Sequence, residues 1–161
     1  MTLPEAIHWL HETGWATAIR ESALVYPLIL ITHLTCIAIF GGMIFATNLR
    51  LLNIAFRGVA AAEIIARLRP WKQFGFVVMV TCGALLASSK ADDYYPNPYF
   101  RIKLLLLGLI AVHALVFRST VYRSANPQPR ASNAAAVLSV LLWLGVLSMG
   151  RWIAYYEAPK S

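Results

Sequence analysis

A chain of 161 residues that is 59% hydrophobic and 13% charged, with a mean hydropathy of +0.62, is not an ordinary soluble domain, for which those shares run near 45–50% and about 25%. It reads as one transmembrane domain over 1–161, because the apolar residues fall in a few long runs and no intervening segment is long enough to fold separately. The net charge of +7 does not point to nucleic acid, since Lys and Arg cluster at the ends of the apolar runs rather than in a basic stripe interleaved with aromatics.

The chain opens with a helix start: Thr2 as cap, Glu5 closing a capping box and Pro4 in the first turn. Leu3, Ile7, Leu10 and Gly14 recur at helical spacing with Trp9 and Trp15 beside them, which predicts an amphipathic helix over 1–20 lying in the membrane interface. The segment is too polar for the apolar core of a signal peptide, so no cleavage is expected and the first span acts as its own insertion signal. His8 and His11 lie one turn apart there. With no third ligand beyond Glu12, a wet histidine face explains them better than a metal site.

Four spans follow, at about 23–47, 74–88, 102–117 and 134–154, the middle two short for a hydrocarbon layer of roughly 30 Å unless Trp71, Tyr94, Tyr95, Tyr99 and Phe100 extend them as aromatic belts. Pro70 is expected to open the second span, with "AAAEIIARL" before it as a separate surface helix. "YPNP" and "NPQP" break the chain between spans. The first and third connections carry Arg50, Arg57, Arg67, Arg69, Lys72, Arg118, Arg123 and Arg130. The other side carries Arg20, Lys90, Arg101, Lys103, Arg151 and Lys160. This bias places the first and third loops in the cytoplasm and both termini outside. Short loops make the expected fold all-α, a four-helix up-and-down bundle with the interfacial helix attached.

The stretch "LILITHLTCIAIFGG" holds the most informative residue, His33, because a titratable ring in hydrocarbon is costly unless something bonds it. His113 occupies the third span. Counted from Glu21 and Arg101, each ring lies twelve residues in, so both are expected about 18 Å deep on parallel spans. Two imidazoles facing each other at one level suit the axial positions of a haem iron; the alternative is a pair of hydrogen-bonded helix contacts. Thr32 and Thr35 are candidates to orient His33, and Gly41, Gly75, Gly83, Gly108 and Gly145 to admit a flat ring or a neighbouring helix. Arg151 is the first candidate to meet the haem carboxylates, or else a snorkelling arginine, with Lys103 and Tyr26 behind it. The absence of C-x-x-C-H leaves only a non-covalent haem b, one per chain. Cys36 and Cys82, both inside apolar runs, read as buried hydrophobes rather than a disulfide. The loop "KADDYYPNPYF" reads as an aromatic belt or as a docking rim for a partner or a quinone head group. No soluble-enzyme motif is present.

The segments "LPEAIHWLHETGWATAIRES", "THLTCIAIFGG", "LRPWKQFGFVVMVTCG", "NPYFRIKL" and "LSMGRWIAYYE" together resemble a family of small bacterial four-helix membrane proteins of unknown function. That likeness implies a bacterial inner-membrane bundle. The histidine layout is also similar, in architecture alone, to b-type membrane cytochromes, in which helices of a bundle supply axial ligands. The expectation is therefore an electron-transfer subunit rather than a stand-alone enzyme, binding one haem between His33 and His113 and passing electrons between the quinone pool and other subunits of a redox complex. The rival expectations are a haem-free structural or assembly subunit of a larger membrane complex, and a small-solute or proton pathway through the two histidines.

Overall fold

The computed structural model describes residues 2–122, 124 and 128–156. Over these the chain is helical, in the order α1 (Leu3–His11), α2 (Gly14–Glu21), α3 (Val25–Leu51), α4 (Ala61–Ser89), α5 (Ala91–Tyr94), α6 (Pro98–Val116), a single π turn (Arg118–Tyr122) and α7 (Pro129–Ile153). Four of them, α3, α4, α6 and α7, are long and apolar enough to cross a membrane. Arg123, Lys160 and the first half of the "NPQP" breaker lie outside the described residues.

Local chemistry explains the ends. Thr2 N–H donates to the Glu5 carboxylate at 2.8 Å, the backbone half of the expected box. The single interfacial helix expected over 1–20 is instead two, because Thr13 adopts an extended conformation (φ −62, ψ 141) ahead of Gly14 and restarts the helix. α3 ends in a Schellman motif: Ile54 N–H bonds the Leu49 carbonyl at 2.9 Å and Asn53 N–H the Arg50 carbonyl at 3.0 Å. Asn53 supplies the left-handed turn (φ 56) in place of glycine. Asn97 starts α6, its side-chain oxygen accepting from Tyr99 N–H and Phe100 N–H at 3.0 and 3.3 Å, with Pro98 in the first turn.

The expected boundary at Pro70 is absent. Helix α4 runs unbroken from Ala61 to Ser89 with Pro70 inside it, so the short surface helix and the second span are one element. The carbonyl that Pro70 leaves without its helical donor belongs to Ala66, and both residues are exposed. The freed carbonyl is therefore not buried without a partner, and the expected first loop shrinks to 52–60.

The long helices pack in the row α4–α3–α7–α6, and α4 and α6 do not pack along their length. Neighbours are antiparallel. Along α3 and α4, Phe40 lies on Gly75 and His33 on Gly83; along α3 and α7, Phe40 meets Trp143 edge to face at 5.4 Å and Asn48 bonds Ser139; along α6 and α7, Lys103 approaches Gly150 and Leu106 approaches Gly145. The core divides into two levels. Phe40, Met79, Trp143 and Val146 form one, and Leu51, Ile65, Val121, Ala135 and Ala136 the other. On α7, Ala135 and Ala136 retain no accessible surface, so small side chains bring α7 close to its neighbours. The outward faces are apolar: Leu28, Ile31, Leu34, Leu105, Val112 and Leu141 are all more than half exposed.

At one end, α1, α2 and α5 form a cap. The Arg20 guanidinium donates to the His11 and Ser89 carbonyls, both at 3.2 Å, tying the cap to the end of α4.

The buried Asn48 amide donates to Ser139 Oγ at 2.9 Å across the α3–α7 contact. Asn48→Ala is expected to cost about 0.5–2 kcal/mol, measured by unfolding in detergent. In the cycle with Ser139→Ala, the double variant is expected to lose less than the sum of the singles; strict additivity would contradict the bond.

Candidate functional site

Both histidines of the long helices bond main-chain carbonyls of neighbouring helices. His33 Nδ1 lies 2.9 Å from the Met79 carbonyl of α4, and His113 Nε2 lies 2.9 Å from the Ala135 carbonyl of α7. A carbonyl only accepts, so each of these nitrogens carries its proton, and in the neutral rings the lone pair resides on His33 Nε2 and His113 Nδ1. Packing holds both. A Cβ on Gly83 would stand 3.0 Å from His33 Cε1, while His113 is 6% exposed and stacks among Phe117 and Tyr122 at 5.0 and 6.2 Å. The carbonyls of a helix are normally engaged within it, so each ring shares an acceptor that has a second lone pair.

The two rings belong to different helix pairs and different levels. His113 lies at the Ala135 level, which α3 reaches at Leu51, whereas His33 bonds at Met79 in the other core level. Register along α3 and α7 separates the two bonds by about 20 Å at 1.5 Å per residue. The expected common depth is not what the packing produces. It counted α6 from Arg101, but His113 is near the end of α6, whereas His33 is in the first third of α3.

One iron bound by both rings requires nitrogens about 4 Å apart, twice a metal–imidazole bond of roughly 2 Å. This pair does not fit that haem. No group of three or more His, Cys, Asp or Glu side chains among the described residues is placed to hold a metal ion.

The remaining candidates are dispersed. Arg151 is exposed, its guanidinium 4.6 Å from the Tyr155 ring centre and bonded to the Tyr155 hydroxyl, which fits the snorkelling alternative. Lys103 points inward between α6 and α7, its Nζ 3.6 Å from where a Cβ on Gly150 would stand. Tyr26 lies under the Lys90 ammonium at 4.9 Å and near Tyr94. Burial and the Tyr26 contact hold the Tyr94 hydroxyl above its ordinary range, so it stays protonated. Thr32 and Thr35 are exposed, and the orienting role expected of them falls to Met79. Of the glycines, Gly83 and Gly145 meet neighbouring side chains closely, while Gly41 and Gly108 face open space. Cys36 and Cys82 are unpaired thiols.

The loop expected as a docking rim is engaged within the chain. Asp92 accepts from His8 Nδ1 at 2.9 Å, Tyr94 stacks on Phe100 at 5.1 Å, and Arg101 covers Tyr95. His11 Nε2 lies 4.0 Å from the same Asp92 oxygen and 3.9 Å from Glu12. No motif announced Asn48, Ser139 or Asn97 as organising polar residues; the available signal was an amide or hydroxyl within or beside an apolar run.

A family model describing a family of unknown function matches residues 23–156. The chain belongs to that family, DUF6644. The match takes in all four long helices and leaves out α1 and α2. No curated protein and no solved structure gives a significant match to the chain.

Gly83→Ala is expected to displace His33 from the Met79 carbonyl and lower stability by about 1–3 kcal/mol, read by thermal unfolding in detergent; an unchanged midpoint would contradict the packing. The Asp92 bond raises the His8 pKa above its ordinary 6.5. The pair therefore stabilises the cap fully below pH 6.5, where His8 is charged whether folded or not, and releases it as pH rises through the raised value. Amide exchange in α1, corrected for intrinsic rates, should accelerate on going from about pH 5.5 to about pH 8.5, and Asp92→Asn should abolish most of that difference.

Proposed function

We propose that this chain is an integral membrane subunit that carries no haem at His33 and His113 and acts structurally within a larger complex. The carrying observation is that each imidazole bonds a main-chain carbonyl of the adjacent helix, in separate helix pairs and at separate levels. In hydrocarbon such bonds offset the cost of a polar ring and lock helix register. Embedding is supported by the exposed apolar side chains that line all four long helices, a surface suited to lipid rather than water.

Orientation follows from charge. Arg50, Arg57, Arg67, Arg69, Lys72, Arg118 and Arg130 gather at one end of the row, which favours that end in the cytoplasm of a bacterium and the cap on the outer side of the inner membrane. The cap supports an assembly role. It fixes Leu3 and Trp9, each about two-thirds exposed, on a helix tied down through His8 and Arg20. The electron-transfer reading, with its quinone and redox partners, needs the two rings to converge on an iron.

Purified from haem-replete cells, the protein is expected to be colourless and to show no dithionite-induced visible bands. His33→Ala and His113→Ala should each cost about 0.5–2 kcal/mol of stability. A reduced-minus-oxidised band lost in either variant would restore the cytochrome reading. In mild detergent the chain should migrate with a second polypeptide at fixed stoichiometry; migration only as the lone chain or its own oligomer would remove the assembly role.

A further inference from the structure

The row of helices is open on one side, where α4 and α6 fail to pack, and the cationic end of that seam holds a cavity of about 450 Å³. Its floor is apolar, formed by Phe40 and Ile44 of α3 with Phe76 of α4. Its mouth is cationic. Arg69 and Lys72 enter from α4 and Arg118 from the π turn after α6. No Asp or Glu lines the cavity, and among the described residues none of these three cations lies within ion-pair distance of a carboxylate. Lys72 is anchored, its Nζ donating to Thr47 Oγ1 at 3.3 Å, and Thr47 in turn donates to the Met43 carbonyl at 2.8 Å. Tyr122 closes the cavity beside Arg118. Burial pushes its hydroxyl up to about 12, so it remains a protonated donor at neutral pH.

Three like charges held around one opening repel one another unless an anion sits among them. The opening also lies where the apolar stretches of two helices end, since the apolar run of α4 resumes at Phe74 and α6 stops at Val116. An occupant must therefore place negative charge at the mouth and hydrocarbon along the floor, and it enters sideways through the open seam.

We infer that this seam binds an anionic phospholipid, with its phosphodiester among Arg69, Lys72 and Arg118 and an acyl chain over Phe40, Ile44 and Phe76. The inference rests on the membrane embedding proposed above and is independent of whether the histidines bind haem. A soluble phosphate would meet the cations and leave the apolar floor uncovered. A partner helix would cover the floor and bring no charge for the mouth unless it were acidic there.

The test uses the full chain, delipidated in detergent, with native mass spectrometry and thermal unfolding as readouts. Phosphatidylglycerol is expected to bind at least about tenfold more tightly than phosphatidylcholine of the same acyl chains, whereas inorganic phosphate should neither shift unfolding nor compete. Arg69→Gln with Arg118→Gln should reduce the preference to below about twofold, with the lipid-free unfolding midpoint not lowered, since two of three repelling charges are gone. Arg57→Gln with Arg67→Gln, which changes net charge equally outside the cavity, should leave the preference intact. Equal binding of the two lipids, saturation by phosphate alone, or equal losses in the two double variants would each overturn the inference. Should the cavity variant fail to fold, Arg118→Gln alone, an exposed position, is expected to lower the preference severalfold, and no change would overturn the inference. Failure of the membrane embedding itself is separately visible, as release of the chain from membranes by alkaline carbonate.

Discussion

The contact between α3 and α7 is the constraint on which the architecture depends. Among the four long helices, α4 leans on α3 and α6 leans on α7, and the two pairs are joined through α3 and α7. That joint combines close approach with one specific polar bond. Ala135 and Ala136 remove side-chain bulk from α7, and the Asn48 amide, 1% exposed, bonds Ser139. A buried amide left unpaired is costly, so the bond selects one register among the many that apolar packing alone would tolerate.

The two histidines apply the same principle within each pair. His33 ties α3 to α4 and His113 ties α6 to α7, each through a protonated ring nitrogen and a carbonyl. Four helices are thus fastened by three buried or half-buried side-chain bonds, one per interface. Tight packing determines which bonds form: Gly83 leaves room for the His33 ring, and Phe117 and Tyr122 wall in His113. Rings that share a fold because each closes its own interface have no reason to meet, which is why the layout resembles a cofactor site in sequence and not in space.

Charge is distributed unevenly over this frame. One end carries the cap, where His8, His11, Asp92 and Arg20 compensate one another or bond carbonyls. The opposite end carries basic side chains in excess, of which Arg67 pairs with Glu63 at 2.7 Å and the three at the seam, Arg69, Lys72 and Arg118, face no carboxylate among the described residues. An open side between α4 and α6 therefore coincides with uncompensated positive charge. The open side follows from the packing order, in which α4 and α6 line one cavity without packing along their length.

The sequence alone determined the four long apolar helices, the polar chain breaks and the asymmetry of charge, because these depend on composition and on local backbone chemistry read residue by residue. Even there, Pro70 misled: the carbonyl it leaves without a donor, that of Ala66, is exposed, and α4 continues through it. Tertiary structure alone decided the depth of each histidine, the partner of each ring and the order of the helices. Residue counts along a helix presuppose how its ends align with those of its neighbours, and α6 begins at Pro98 with His113 near its far end. Which faces meet depends on register between helices, and register comes from pairs such as Asn48 with Ser139 that are separated by most of the chain and carry no local signature.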